Sequence, residues 1–137
     1  MDRLTIKQIV EMLKCVCRVV IENEPLLTEI DIQTGDGDHG TGMKRGFSSV
    51  LDMLQSGNFN TVQEIFKTTG ATLLDSMGGA SGVLFATLFI SGIPALGHYD
   101  FLTVKDLSDA FNEGAAAISK RGGASAGDKT IDRKSVV

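Results

Sequence analysis

Apolar residues recur every three or four positions through most of this chain, and no segment alternates apolar with polar for long enough to form a half-buried strand. Ile6, Ile9, Val10, Leu13, Val16, Cys17, Val20 and Ile21 mark a first amphipathic helix that should end near Pro25, with Val16 in the core and Lys14 toward solvent. The spacing returns in Met43, Phe47, Val50, Leu51 and Leu54 up to Gly57, and again in Val62, Ile65, Phe66, Thr69, Leu73 and Leu74. Val83 to Ile90 is apolar on nearly all sides, as a core helix would be. A last helix starts at Thr103 and carries Val104, Leu107, Phe111, Ala115 and Ile118 on one face. Five helices joined by short Gly/Asp loops, without a solenoid-length repeat, predict an all-α bundle.

Length and charge narrow the class. The chain has 137 residues, enough for one domain, and 42% hydrophobic with 22% charged residues is the balance of a chain that forms a core. Its net charge of −4 opposes nucleic acid as a partner, so any phosphate contact requires a local device such as a metal ion or backbone amides. Cys15 and Cys17 lie two apart on a helix and cannot pair with each other, which fits a reduced, cytoplasmic protein. Lys7, Glu11 and Lys14 interrupt the first segment, so it does not read as a signal peptide. The uncharged stretch from Ser76 to Tyr99 is broken by five glycines and Pro94 and reads as a buried helix with its turns, not as a membrane span.

The chemistry concentrates in three loops. Asp31, Asp36 and Asp38 stand within eight residues of Asp-Ile-Gln-Thr-Gly-Asp-Gly-Asp-His-Gly, and such like charges repel unless a cation or donors offset them. Hard oxygen ligands suit magnesium or calcium. An EF-hand starting at Asp36 would need a carboxylate at its twelfth position, where Phe47 stands. Gly35, Gly37 and Gly40 satisfy G-x-G-x-x-G only formally, since no strand precedes them and two aspartates would face the pyrophosphate. Two readings remain: an Asp/Gly turn capping the next helix through Asp38, or a magnesium site. Magnesium holding a nucleotide makes the segment coherent, because the ion bridges carboxylates to phosphates while the amides of Gly40 to Gly42 open a helix toward the same anion. His39 is either a surface hydrogen-bonding residue or a contact to the phosphate or metal shell.

Residues 77–82, Met-Gly-Gly-Ala-Ser-Gly, fail as a nucleophile elbow, because G-x-S-x-G would need glycine at Val83 and a preceding strand. They read as a glycine turn that opens the buried helix. That turn either serves as a plain helix connection capped by Ser81 or offers the Ala80 and Ser81 amides to phosphate oxygens. Gly122 to Thr130 misses the P-loop pattern, because Asp128 separates Gly127 from Lys129 and a helix leads in.

Taken in order, Gly-Asp-Gly-Asp-His-Gly-Thr-Gly-Met-Lys-Arg-Gly-Phe, Gly-Gly-Ala-Ser-Gly-Val-Leu-Phe and Arg-Gly-Gly-Ala-Ser-Ala-Gly-Asp-Lys-Thr resemble the nucleotide-binding L subunit of dihydroxyacetone kinases, from about Thr5 to Thr130. The resemblance implies an antiparallel barrel of about eight helices, of which about five are present here. It also implies ADP or ATP and two magnesium ions in the loops at one end. By position, Asp31, Asp36 and Asp38 match the metal ligands. His39, Gly40, Thr41 and Gly42 match the first phosphate segment, Ala80 and Ser81 the second, and Gly122 a contact in the nucleotide pocket. None of these is a covalent nucleophile. In this family the L subunit presents the γ-phosphate to dihydroxyacetone held on a separate K subunit, so its work is positioning and charge neutralisation. A phosphocarrier M subunit recharges bound ADP in the phosphotransferase-system branch, which a chain beginning at its first helix favours.

Residues 1–131 then correspond to the N-terminal two-thirds of an L-type domain, with further helices and pocket residues expected beyond. Asp-Arg-Lys-Ser-Val-Val, residues 132–137, does not resemble the family and back-translates as the start of a common sequencing adapter, which implies a non-native tail. The chain as it stands is expected to be inactive in phosphoryl transfer. Two alternatives stand beside the first reading: an L domain of an ATP-dependent kinase for another short keto-sugar, and a non-catalytic nucleotide-sensing module.

Overall fold

The computed structural model describes residues 2–34 and 39–122, with side chains described for 2–30 and 39–120. Strand β1 (Arg3–Thr5) leads directly into helix α1 (Ile6–Glu22). Thr5 starts that helix with a reciprocal cap: its hydroxyl accepts from the Gln8 amide at 3.2 Å, and the Gln8 side chain accepts from the Thr5 amide at 2.9 Å. Helix α1 ends at Glu22, and Asn23 caps it by turning its side-chain amide back onto the Val19 carbonyl at 2.7 Å.

Where a loop is expected, a second helix α2 (Glu24–Thr34) follows at once. Pro25 ends one helix and begins the next, since its missing N–H and fixed φ are tolerated in a first turn. Helix α3 (His39–Ser56), helix α4 (Val62–Met77) and helix α5 (Gly79–Ile90) match the predicted periodic segments. A 3-10 turn (Ile93–Ala95) and strand β2 (Phe101–Thr103) precede helix α6 (Val104–Gly122). The two short strands, also unexpected, pair antiparallel with Leu4 opposite Leu102. They join the start of α1 to the start of α6.

The described residues therefore hold six helices, one more than the periodicity predicts, in the all-α class expected. They form an arc in which α1 packs on α3, α3 on α4, α4 on α5 and α5 on α6, with α2 laid against α3. Ile9, Leu13 and Cys17 from α1 meet Phe47, Val50 and Leu54 from α3 and Ile65, Phe66 and Leu73 from α4 in one core. Phe66, Phe89 and Phe111 tie the middle of the arc to α6, with ring centroids 5.8 to 6.2 Å apart.

The expected register of α1 requires correction. Its buried stripe is Ile9, Leu13 and Cys17, whereas Val16 is 45% exposed. Lys14 is the more covered of the compared pair, with its side chain 17% exposed and its ammonium 3.2 Å from Glu11. Val16 and Val19 sit on the flank turned away from α3, at the open edge of the arc, and Leu74, Val104 and Ala115 are likewise exposed rather than core. No described helix is long and apolar enough to cross a membrane. The proposed tail, residues 132–137, lies outside the described residues.

Candidate functional site

Antiparallel packing brings the ends of four helices together. Helix α3 begins where α4 ends, because the Arg45 guanidinium, in the second turn of α3, donates to the Ser76 carbonyl at 2.7 Å and to the Met77 carbonyl at 2.8 Å. Helix α5 starts immediately after α4, through Gly78 at φ 69° and Gly79 at φ 60°. Both values lie in the left-handed region that glycine alone enters without strain, so a reversal this tight needs the Gly-Gly pair. Gly92 lies against the Ala110 backbone and Gly114 against the Leu88 backbone, an antiparallel pairing that carries the last turn of α6, closed by Gly122, toward the first turn of α5.

The second predicted segment is open on the side that matters. Ideal Cβ atoms built on Gly78 and Gly79 would meet nothing within 4 Å, so there is free space beside the turn. Ala80 is exposed and Ser81 partly so, and both lie in the first turn of α5. Amides in a first helical turn have no acceptor within the helix and carry the positive end of its dipole. The Gly82 amide closes the first turn by donating to the Gly78 carbonyl at 3.1 Å.

The first segment rests on α2. Gly40 is buried, and a Cβ there would run into the Thr28 hydroxyl, the Thr28 amide at 2.6 Å and the Glu24 carbonyl at 2.8 Å. Only glycine allows the start of α3 to lie this close to α2. His39 is partly buried, Thr41 exposed and Gly42 partly exposed, all in the first turn of α3. Asp31 follows Thr28 by three residues along α2, so its backbone lies about one turn from the Gly40 contact.

Of the three predicted metal ligands, Asp36 and Asp38 lie outside the described residues, as does the side chain of Asp31. Among the described residues no group of three His, Cys, Asp or Glu side chains could hold a metal ion. By chemistry alone, the hard carboxylate oxygens of Asp31, Asp36 and Asp38 suit a divalent cation such as magnesium, and the first-turn amides of α3 and α5 suit phosphate oxygens. The described geometry thus unites His39 to Gly42, Ala80, Ser81 and the backbone of Gly122 at one end of the bundle. Arg45 was absent from the residues read from sequence, since its carbonyl partners are more than thirty positions away.

The opposite end holds a separate polar cluster. His98 Nδ1 lies 2.8 Å from Asp106 Oδ2, its ring stacks on Phe101 at 4.0 Å, and the Arg3 guanidinium covers Phe101 at 4.1 Å. The hydrogen bond from His98 holds the Asp106 carboxyl below its ordinary range against the opposing effect of burial, with the Gly97 amide and Thr103 hydroxyl assisting. The Val62 amide donates to the Tyr99 carbonyl at 2.7 Å and the Gln63 side chain to the His98 carbonyl at 3.0 Å, so this loop ties the starts of α4 and α6 together. Burial pushes the Cys17 thiol up to about 11, making it an inert part of the core.

The DAK2 domain family model matches residues 33–132. The ADP-binding subunit DhaL of the PEP-dependent dihydroxyacetone kinase of Escherichia coli is 45% identical over 105 residues, 77% of this chain and 50% of that protein. The ADP-binding subunit DhaL of the PTS-dependent enzyme of Lactococcus lactis is 40% identical over 128 residues, 93% of this chain and 64% of that protein. The chain therefore spans between half and two-thirds of the length of these relatives. The solved structure of the C. freundii dihydroxyacetone kinase in complex with AMP-PNP and Mg2+ superposes with a TM-score of 0.77 at 27% identity, over 90% of this chain and 22% of that one. With the family model covering most of its length, and relatives 40–45% identical, the chain belongs to the DAK2 domain family.

Proposed function

We propose that this chain is the nucleotide-holding part of a dihydroxyacetone kinase L subunit, binding ADP or ATP with two magnesium ions. The reading rests on one observation above all: the first turns of α3 and α5, the Gly78–Gly79 reversal and the last turn of α6 converge at one end. On this reading His39, Gly40, Thr41 and Gly42 take one side of the phosphates, Ala80 and Ser81 the other, and Gly122 borders the nucleotide. Asp31, Asp36 and Asp38 hold the metal ions, which when bound neutralise phosphate charge. The residues of this chain bind and orient the donor; none forms a covalent bond to it. Dihydroxyacetone sits on a K subunit, and a phosphocarrier M subunit recharges ADP, as PEP and PTS dependence in the names of the relatives supports. The complex would work in the cytoplasm.

Calorimetric titration of ADP into the domain completed by its C-terminal helices tests the proposal. Asp36→Ala should weaken ADP binding by a few kcal/mol with magnesium present and far less in EDTA, because the lost carboxylate acts through the ion. Equal affinity of variant and parent in magnesium would refute the metal assignment.

A further inference from the structure

We propose that Arg45 is a positioning residue that locks the second phosphate turn onto the first, so that both phosphates of a nucleoside diphosphate meet preformed donors. The inference rests on the nucleotide reading above and deepens it.

The geometry assigns Arg45 to the end of α4. Nε donates to the Ser76 carbonyl at 2.7 Å and Nη2 to the Met77 carbonyl at 2.8 Å. These are among the last carbonyls of α4, which have no partner within the helix and carry the negative end of its dipole. Left bare, they would face the same end of the bundle as the incoming phosphates and oppose them. One planar cation spanning both oxygens satisfies them and cancels that field.

A second contact stiffens the link. Gly46 follows Arg45 in sequence, and a Cβ there would collide with Met77 Cγ and lie 3.1 Å from Met77 Sδ. Met77, only 5% exposed, is thus held by its side chain in the Gly46 notch and by its carbonyl on Arg45. Beyond Met77 the chain enters Gly78 and Gly79, where no Cβ restrains the turn and the surroundings are open. The direction of the Ala80 and Ser81 amides is therefore set by how the end of α4 is anchored to α3. The anchor springs from the turn that follows His39 to Gly42, so it references one phosphate segment to the other.

Amide exchange and nucleotide titration of the domain completed by its C-terminal helices, as parent, Arg45→Met, Arg45→Lys and the control Lys67→Met, test this. Arg45→Met should accelerate exchange across residues 78–82 and weaken ADP in magnesium about tenfold, while AMP, which lacks the second phosphate, changes much less. Arg45→Lys keeps the charge but cannot span two carbonyls, so it should resemble Arg45→Met in exchange and recover only part of the ADP affinity. Lys67→Met, removing an exposed cation elsewhere on α4, should leave both readouts at parent values. Uniform loss of ADP and AMP binding would mark a general structural defect and overturn the proposal, as would parent-like exchange in both Arg45 variants. If the completed parent domain fails to bind ADP, the nucleotide reading falls while the exchange arm still decides whether Arg45 fixes the turn. If the parent binds and Arg45→Met binds equally, the nucleotide reading stands and the positioning role falls. Should Arg45→Met not fold, Arg45→Lys carries the same exchange test.

Discussion

Replacing Gly114 by alanine sets two effects of opposite sign against each other at the α5–α6 crossing. In an isolated helix the change is favourable by up to about 1 kcal/mol, since glycine loses more backbone freedom on folding. Here the added Cβ would meet the Leu88 carbonyl group, with its carbon at 2.9 Å and Leu88 Cα at 3.0 Å. Carbon pairs prefer about 3.5–4.0 Å, so the helices must separate by roughly half an ångström or more. The obstacle is the backbone of a neighbouring helix and cannot swing aside as a side-chain end could. Overpacking costs about 1–3 kcal/mol, and a clash with three backbone atoms falls in the upper half of that range, about 2–3 kcal/mol, which leaves a net loss of roughly 1–2 kcal/mol. For a chain of this size that corresponds to a fall in melting temperature of about 3 to 10 °C by calorimetry or circular dichroism. Gly92→Ala meets the Ala110 backbone in the same interface, with the Ala110 carbonyl carbon at 2.8 Å, and lies outside the helices. It has no propensity gain to offset and should cost more. Combined, the two should cost less than their sum, because the first separation relieves the second contact. A rise in melting temperature for Gly114→Ala would refute the close crossing and the antiparallel placement of α6 built on it.

Three further outcomes follow from the packing and the ionisation. Ile9→Asp, which places a charge where the parent side chain is fully buried, should abolish cooperative unfolding, whereas Val16→Asp, at a site 45% exposed, should shift the denaturation midpoint by no more than about 1 kcal/mol. The carboxyl of Asp106 is held below its ordinary 3.8 by His98, so its stabilising contribution is complete above that value and fades as pH falls through the lower folded value. Acid titration of Asp106→Asn should therefore show a flatter loss of stability below pH 3.8 than the parent, and parallel curves would count against the pair. Maleimide at pH 8 should label Cys15 quickly and Cys17 only on unfolding, because Cys15 is exposed whereas burial keeps the Cys17 thiol neutral up to about 11; equal labelling rates would contradict the placement of α1.

The long helices were legible because a helix that packs on one side writes its period into ten or more residues. α3, α4 and α6 do so, and Phe47, Val50, Leu54, Ile65, Phe66 and Leu73 all reach the core as the spacing requires. α2 was not legible, since Pro25 signals a helix end and a helix start equally well and the acidic run after it suggests a loop. The two strands escaped because three residues are too few to show alternation, and their pairing joins positions about one hundred residues apart. Val16 misled for a different reason. An apolar series tells how much of a helix surface avoids water, but a helix at the edge of an arc covers only the part that meets a neighbour. Ile9, Leu13 and Cys17 face α3, and nothing in the spacing ranks them above Val16 and Val19.

The site divides along the same line between local and distant information. Backbone amides at a helix start and glycines that permit a left-handed turn are local devices, so a short stretch of sequence can carry them whole, as Gly78 to Ser81 and His39 to Gly42 do. What a short stretch cannot carry is the relative placement of two such devices. In the proposed site a diphosphate needs donors on both sides at a fixed separation, and we infer that this separation depends on Arg45 reaching Ser76 and Met77 and on Gly46 admitting the Met77 side chain. Each of those residues reads as ordinary by itself: a surface arginine, a helix glycine, a core methionine. Gly46 in particular lies inside α3, where glycine costs about 1 kcal/mol against alanine, a penalty with no local return. The close seat it gives Met77 supplies the return, and it lies on another helix. On the proposed reading, local glycine motifs carry the phosphate-binding chemistry, and the pair Arg45–Gly46 sets the geometry in which that chemistry would act.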